Sequence, residues 1–537
     1  MAPLMARAAG VAGRMGANAV RIVRRGVGHF AVPRGPIWIR IRLAPPIEDL
    51  LPPPFFRARD HSLSFLDLLQ TLDHAALDPR VEGVLIRLEG VRRGLAGVLT
   101  LRRAIEQVRA AGKPVVIYGE ALSSEDMLLA SAASRLWLPE SGSVFLLGLR
   151  FESYFVKDLL GSLGVEPEVV RVGGFKSAAE IFTREAMSPE HREQLEALID
   201  DFFATLVGGI AEGRGIDEER VRALIDGGPY LARAAVEAGL VDACLYPDQI
   251  EDALKELTSS KQEVQLVDAS AYSSFFASDP GFRPLLGDLP RIAYVVAEGP
   301  IHRGGGLRGV ASEVYRTLLE RIRDDTKVRG MVLRIDSPGG DGLASDLIWR
   351  AVRQVRSEKP VVVSMGDVVA SGGYYIAAAA DAILAESATV TGSIGVVGGK
   401  VNLAGLYQRL GVGKDAVERG ARAGLLSEMR SFTPDERSAV RDEMKAIYEL
   451  FLERVAEGRS MTRDQVNRVA QGRIWSGGRA ESLGLVDGLG GPLEALVEVR
   501  RRAGITPGES VLLDLHPRIP RIPGLFTLIR SLVPRAR

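Results

Sequence analysis

The sequence predicts an α/β protein made of two tandem domains, each a stack of βαβ units. Three observations carry the prediction. The chain repeats itself: Lys113-Pro-Val-Val-Ile117 returns 246 residues later as Lys359-Pro-Val-Val-Val363, and Arg135-Leu-Trp-Leu-Pro-Glu-Ser141 returns as Asp381-Ala-Ile-Leu-Ala-Glu-Ser387. That period is far too long for a solenoid and suits a domain. Within each copy, short Val- and Ile-rich runs alternate with helical periodicity, as in parallel strands joined by crossover helices. Finally, 537 residues with 46% apolar content are enough for two cores.

Each copy opens on a β-rich run, residues 36–43 in the first and 291–296 in the second. A polar helical segment follows, then a second strand at 81–88 and 328–335. Helices over 98–111 and 343–357 lead into the Lys-Pro-Val-Val strands. The copies also close alike: Gly213-Arg-Gly-Ile-Asp217 leads to Ala238-Gly-Leu-Val-Asp242, and Gly458-Arg-Ser-Met-Thr462 leads to Leu483-Gly-Leu-Val-Asp487. Residues 201–212 and 441–457, just before these motifs, have helical periodicity. Ser, Gly and Pro enrichment over 259–290 marks a linker. The expected division is a basic segment over 1–35, repeats over 36–275 and 286–505, and a tail over 506–537.

Composition narrows the function classes. The 68 basic residues balance 68 acidic ones, so nothing global points to nucleic acid. The single Cys244 excludes an intramolecular disulfide and a cysteine-based metal cluster, and no cofactor is called for. No run of roughly 18 uninterrupted apolar residues occurs. The strongest candidate, 361–384, contains Asp367, Asp381 and Gly372-Gly373 and reads as strand, turn and helix. The N-terminus differs. Arg7, Arg14, Arg21, Arg24, Arg25 and Arg34 are spaced by weakly apolar residues, and no acid precedes Glu48. Such a segment suits contact with an anionic membrane surface; its arginines interrupt the core of any cleaved signal peptide. Leu525-Phe-Thr-Leu-Ile-Arg-Ser-Leu-Val533, between Arg521 and Arg535, is a second possible contact, or a helix docked on the protein itself.

Asp367-Val-Val-Ala-Ser371-Gly-Gly-Tyr-Tyr375 places a serine between a strand and a helix. Free N–H groups at a helix start can stabilise an anion, and the two glycines permit unusual backbone angles and close substrate approach. An ordinary helix-capping serine fits the same pattern. Asp336-Ser-Pro-Gly-Gly340, directly after a buried strand, could offer the Gly340 N–H to an oxyanion, with Gly372 as the second donor. A nucleophilic serine needs a base. None of His29, His61, His74, His191, His302 and His516 lies in a motif that resembles a catalytic histidine. Lysine is the alternative if burial lowers its pKa by roughly three units, at a cost of about 4 kcal/mol. Lys176, in Arg171-Val-Gly-Gly-Phe-Lys-Ser-Ala-Ala179, has the small and apolar neighbours this requires. A surface lysine opening a helix would look similar.

Taken together, Ala370-Ser-Gly-Gly-Tyr-Tyr375, Asp336-Ser-Pro-Gly-Gly340, Thr391-Gly-Ser-Ile-Gly395 and Phe175-Lys-Ser-Ala178 resemble the protease IV family of Ser-Lys serine peptidases. The likeness is to signal peptide peptidase A in its long, duplicated bacterial form, and it runs from about residue 36 to 500. The resemblance implies Ser371 as nucleophile, Lys176 as general base and Ser393 as the residue that orients the lysine. It implies tandem crotonase/Clp-protease-like domains and a homotetramer associated with the bacterial inner membrane on its periplasmic face. The substrates it implies are cleaved signal peptides and other short apolar peptides. Long-form members usually carry a clear N-terminal anchor, whereas here that segment is interrupted by arginine.

The duplication divides these residues. Adding 246 to Glu125 reaches Ser371, while neighbouring Ser124 is followed by Glu-Asp rather than Gly-Gly. Aligning Leu163-Gly-Val165 on Leu410-Gly-Val412 puts Lys176 opposite Ala423, beside Arg422. One copy keeps the nucleophile and the other the base, so the active site is expected between them. A crotonase-type acyl-CoA enzyme would share the fold but leave Ser371, Ser393 and Lys176 without a role. A catalytically silent membrane scaffold is the non-enzyme alternative.

Overall fold

The computed structural model describes residues 35–50, 63–258, 263–276, 289–306, 308–506 and 509–516; the arginine-rich segment before residue 35 and the 525–533 run lie outside them. Two parallel sheets match strand for strand. The first runs Leu266–Asp268, Ile37–Leu43, Val81–Leu88, Val115–Gly119, Arg135–Leu138, Ala243–Cys244. The second runs Leu512–His516, Arg291–Glu298, Val328–Ser337, Val361–Ala370, Ala382–Ala385, Gly488–Leu489. All of these neighbours pair in parallel. Strands covered on both faces need apolar side chains on both, hence the unbroken Val361-Val-Val363, all fully buried.

The edge strands had no signal in the sequence. Leu266–Asp268 falls within the stretch read as a linker, and Leu512–His516 lies beyond residue 505. Runs of 3 and 5 residues are too short to show alternation. Their pairing with the first strand of their own sheet, a tertiary event, creates them. Above the second sheet, Val361–Ala370 continues past a register shift to pair with Val390–Gly392, which pairs antiparallel with Ile474–Ser476. In the first copy the matching strand breaks at Glu120, and Ala121–Leu122, Ser143–Val144 and Tyr230–Leu231 form a separate small sheet.

The repeated motifs have structural causes. Lys113 Nζ donates to Ala75 O and Asp78 O at 2.6 and 2.5 Å, and Lys359 Nζ to Ile322 O and Asp325 O at 2.6 and 2.5 Å. Each lysine thus caps the carbonyl end of an earlier helix, Phe65–Leu77 or Ser312–Asp324, where a cation also meets the negative end of the helix dipole. In the closing motifs, Arg214 pairs with Asp242 at 2.9 Å and Arg459 with Asp487 at 2.7 Å. Each aspartate also accepts a strand N–H, from Leu136 or Ile383, at 2.7 Å.

The halves are joined by polar as well as apolar contacts. Asp367 accepts from Gly94 N at 3.0 Å and Gly97 N at 2.8 Å, so a carboxylate of the second half caps the helix Leu95–Ala110 of the first. Glu386, 1% exposed, takes Arg103 at 2.6 Å and Thr100 at 2.8 Å. Removing one partner of such a buried pair costs about 3–5 kcal/mol, because the other charge is left uncompensated. Leu66 of the first half packs with Ile292, Tyr294 and Val332 on the outer face of the second sheet. Glu166–Val172 and Val396–Asn402 form an antiparallel ladder between the halves.

Candidate active site

The strand Val361–Ala370 ends in a turn that throws Ser371 outward before the helix Gly372–Ala377 begins. Ser371 has φ 54° and ψ −119°. A side chain in that left-handed range costs on the order of 1–3 kcal/mol and persists only where the surroundings impose it. Here its N–H donates to Gly392 O at 2.9 Å and its carbonyl accepts from Tyr375 N at 2.9 Å. Ser393, two residues past the strand Val390–Gly392's second member, is also forced to positive φ, 52°, and its N–H is held by Arg473 O at 2.7 Å.

Lys176 enters from the first half, just after the strand Glu166–Val172. Its Nζ donates to Ser371 Oγ at 3.0 Å, to Ser393 O at 2.9 Å and to Ser393 Oγ at 3.0 Å. Lys176 is only 5% exposed. Burial alone lowers its pKa from 10.5 to about 8, because ammonium loses its hydration and gains no carboxylate in return. At pH 7 about a tenth of the chains would then hold the neutral amine. Lysine, not histidine, is the hydrogen-bond partner of the serine hydroxyl.

The two glycines expected to offer N–H groups to an oxyanion lie close together. A Cβ built on Gly372 would stand 3.4 Å from Gly340 N, and one built on Gly339 would stand 2.7 Å from Gly372 N and from Ser371 Cβ. Ile301 clamps this loop by donating to Gly339 O and accepting from Asp341 N, both at 2.9 Å. The clamp leaves the Gly340 N–H out of the pairing. Gly340 has φ +156°, and a Cβ there would lie 2.0 Å from Ile301 O.

The first copy's counterpart is built differently, and the alignment slips by one residue. Ser134 and Asp381 make the same backbone bonds, to Val115 O and Val361 O, at a spacing of 247. Counting back from the helix ends at Ala130 and Ala377, Ser124 rather than Glu125 stands opposite Ser371. The slip arises where the first copy's strand breaks at Glu120. Ser124 is buried, and its hydroxyl is taken by Gly148 O at 3.3 Å and Leu147 N at 3.2 Å. Arg93 stands where the second copy has Gly340, each immediately before a helix cap, Gly94 or Asp341. Its guanidinium donates to Ile47 O at 2.7 Å. No glycine pair remains there.

Other residues shape the site; Gln471, Gly472, Tyr448 and Asn467 had no sequence signal, whereas Asp336 opened a motif already singled out. Gln471, at φ 57°, and Gly472 form a second-half turn against the lysine: Gln471 O accepts from Phe175 N at 2.9 Å, and Gly472 packs on the Lys176 backbone. Tyr448 and Asn467 hold the Gln471 side-chain amide at 3.1 and 2.6 Å. Asp336, opening the glycine loop, accepts from Asp367 N and Val368 N at 3.2 and 3.1 Å, and burial pushes its carboxyl above the usual range.

Residues 107–261 and 353–506, which contain Lys176, Ser371 and Ser393, match the profile of Peptidase family S49. The chain is 36% identical over 480 residues to "Serine protease SPPA, chloroplastic" of Arabidopsis thaliana, covering 88% of this chain and 70% of that one. It is 32% identical to "Protease 4" of Salmonella typhi, over 80% of this chain and 70% of that one. It is 31% identical to "Protease 4" of Haemophilus influenzae, over 81% of this chain and 72% of that one.

Proposed function

The chain belongs to peptidase family S49 and is a serine-type peptidase, and from that premise we propose that Ser371 and Lys176 are its catalytic dyad. One observation carries the reading: a buried lysine with no carboxylate partner among the described residues lies 3.0 Å from a serine hydroxyl set on a strained turn. Neutral Lys176 takes the Ser371 proton as Oγ attacks the peptide carbonyl. The Gly340 and Gly372 N–H groups hold the oxyanion. The ammonium then protonates the leaving amine, and the restored amine activates the water that releases the acyl group. Ser393, through its carbonyl and hydroxyl, keeps Nζ aimed at Oγ. A fluorophosphonate probe should modify Ser371, mapped by peptide mass, with labelling that rises as pH passes through about 8. Labelling elsewhere, with Ser371 untouched, would overturn the assignment.

The substrates proposed are cleaved signal peptides and other short apolar peptides at the membrane, with the enzyme on the periplasmic face of the bacterial inner membrane. No described helix is long and apolar enough to cross a membrane; in this reading the basic N-terminal segment and the 525–533 run are the candidate surface contacts.

The proposed assembly is a homo-oligomer, four copies by family resemblance, and the duplication suggests a contact that would build it. Helices Lys157–Leu163 and Ala404–Leu410 are equivalent at a spacing of 247, so the counterpart of the strand Glu166–Val172 is 413–419 and that of Val396–Asn402 is 149–155. Both counterparts lack a ladder. Residues 411–420 are exposed throughout, including Val412 and Val417, while Phe151 and Tyr154 are exposed on the other side. A second copy laying 413–419 against 149–155 would repeat the internal ladder head to tail, the kind of contact that closes into rings. Val417→Asp is expected to lower the mass seen by light scattering. An unchanged oligomer would count against this contact.

A further inference from the structure

We propose that Gln194 is a positioning residue for the dyad, whose neutral amide fixes the lysine-bearing turn of the first half against the strand of the second half that carries the Ser393 contact. The inference rests on the Ser371–Lys176 reading. Gln194 lies in the second turn of the helix Pro189–Arg214 and is 2% exposed. Its Nε2 donates to Phe175 O at 3.2 Å and to Ser177 Oγ at 2.8 Å, the residues on either side of Lys176. Its Oε1 accepts from Ile474 N at 3.2 Å. Ile474 follows Arg473, whose carbonyl holds the Ser393 N–H at 2.7 Å, and Ser393 in turn holds Lys176 Nζ. One side chain therefore spans the junction from the base to its orienting partner.

Only an amide satisfies this set. Two donors and one acceptor on a planar group are needed, and a carboxylate of the same shape has no donor for Phe175 O. Charge matters as much. A carboxylate here would be a buried anion beside a lysine that has none, and it would favour the ammonium over the amine. The ionic groups nearby are already engaged. Arg171 is paired with Glu180 and also donates to Lys176 O, Glu180 faces His191, and Arg473 pairs with Glu193 while lying over the Phe175 ring.

Two isosteric variants test the proposal on the full-length chain. Gln194→Met removes the hydrogen bonds and keeps the volume; kcat on a peptide substrate is expected to fall about 10- to 100-fold as the dyad loses its alignment, with KM within about twofold. Gln194→Glu is expected to move the acid limb of the kcat/KM profile up by about one pH unit, a displacement that a general loss of packing would not produce. Wild-type kcat and an unmoved acid limb in the two folded variants would overturn the role. If Gln194→Met does not fold, the acid limb of Gln194→Glu decides alone: displaced supports the role, unmoved refutes it. Failure of the dyad itself would show separately, as turnover that survives Lys176→Met in a chain with wild-type Gln194.

Discussion

Lys176→Met is expected to lower kcat/KM by about a thousandfold or more, because the serine loses the group that takes and returns its proton. Arginine should not rescue it, since a guanidinium stays protonated at any working pH. The wild-type profile should rise with pH through about 8, where the buried amine of Lys176 loses its proton. The same burial makes a second, opposite prediction for stability. Below pH 8 the folded chain holds an ammonium in an apolar site, and the unfolded chain holds it in water with an ordinary pKa of 10.5. Between those values the unfolded state binds more protons than the folded one, so stability rises with pH there. At neutral pH, Lys176→Met should therefore be the more stable protein, by up to about 3 kcal/mol, and the advantage should vanish above pH 10.5. Turnover measured from pH 6 to 10 and thermal melts extended to pH 11 check both statements. An inactive but stabilised variant supports the base assignment, and retained turnover in folded Lys176→Met sinks it.

The second large effect is expected at Gly340. Alanine there would keep φ +156° unfavourable and drive its Cβ to 2.0 Å from Ile301 O. Ile301 clamps the loop through Gly339 and Asp341, so relief of the clash is expected to displace the Gly340 N–H. Losing one oxyanion donor costs about a hundred- to a thousandfold in kcat. Gly342→Ala, two residues on, is the control. Its Cβ meets only Ile447 at 3.7 Å, and alanine at a helix start is well tolerated. Comparable kcat in folded Gly340→Ala and wild type would remove Gly340 from the oxyanion hole.

What could be read beforehand depended on whether a residue's demand was local. Val361-Val-Val363 announces a strand buried on both faces, because the pattern and the cause lie in the same few residues. Lys113-Pro and Lys359-Pro were legible as a repeat, but their task of capping a helix some 35 residues earlier was not. Leu266–Asp268 and Leu512–His516 owe their extended form to a neighbour far away in sequence. Counting residues misplaced Ser371's counterpart by one, because a strand break at Glu120 changes length without leaving a motif. Gln194 sits on a helix among ordinary amphipathic positions, and its three bonds reach residues 17, 19 and 280 positions away. A side chain that acts only through such contacts carries no signature of its own.

The paired capping lysines and the paired Arg214–Asp242 and Arg459–Asp487 bridges bear on how such a chain can evolve. Both halves fold through the same two contacts, so each device appears twice in one chain. The proposed chemistry makes a lighter claim: Lys176 as base in one half and Ser371 as nucleophile in the other. In the proposed dyad neither half can act alone, because Ser124, opposite Ser371, is buried with its hydroxyl engaged by Gly148 O and Leu147 N, and Ala423 stands opposite Lys176. The fusion is held in place by loss. Each half has become the indispensable remainder of the other, and the linker that joins them carries a constraint no residue in it displays.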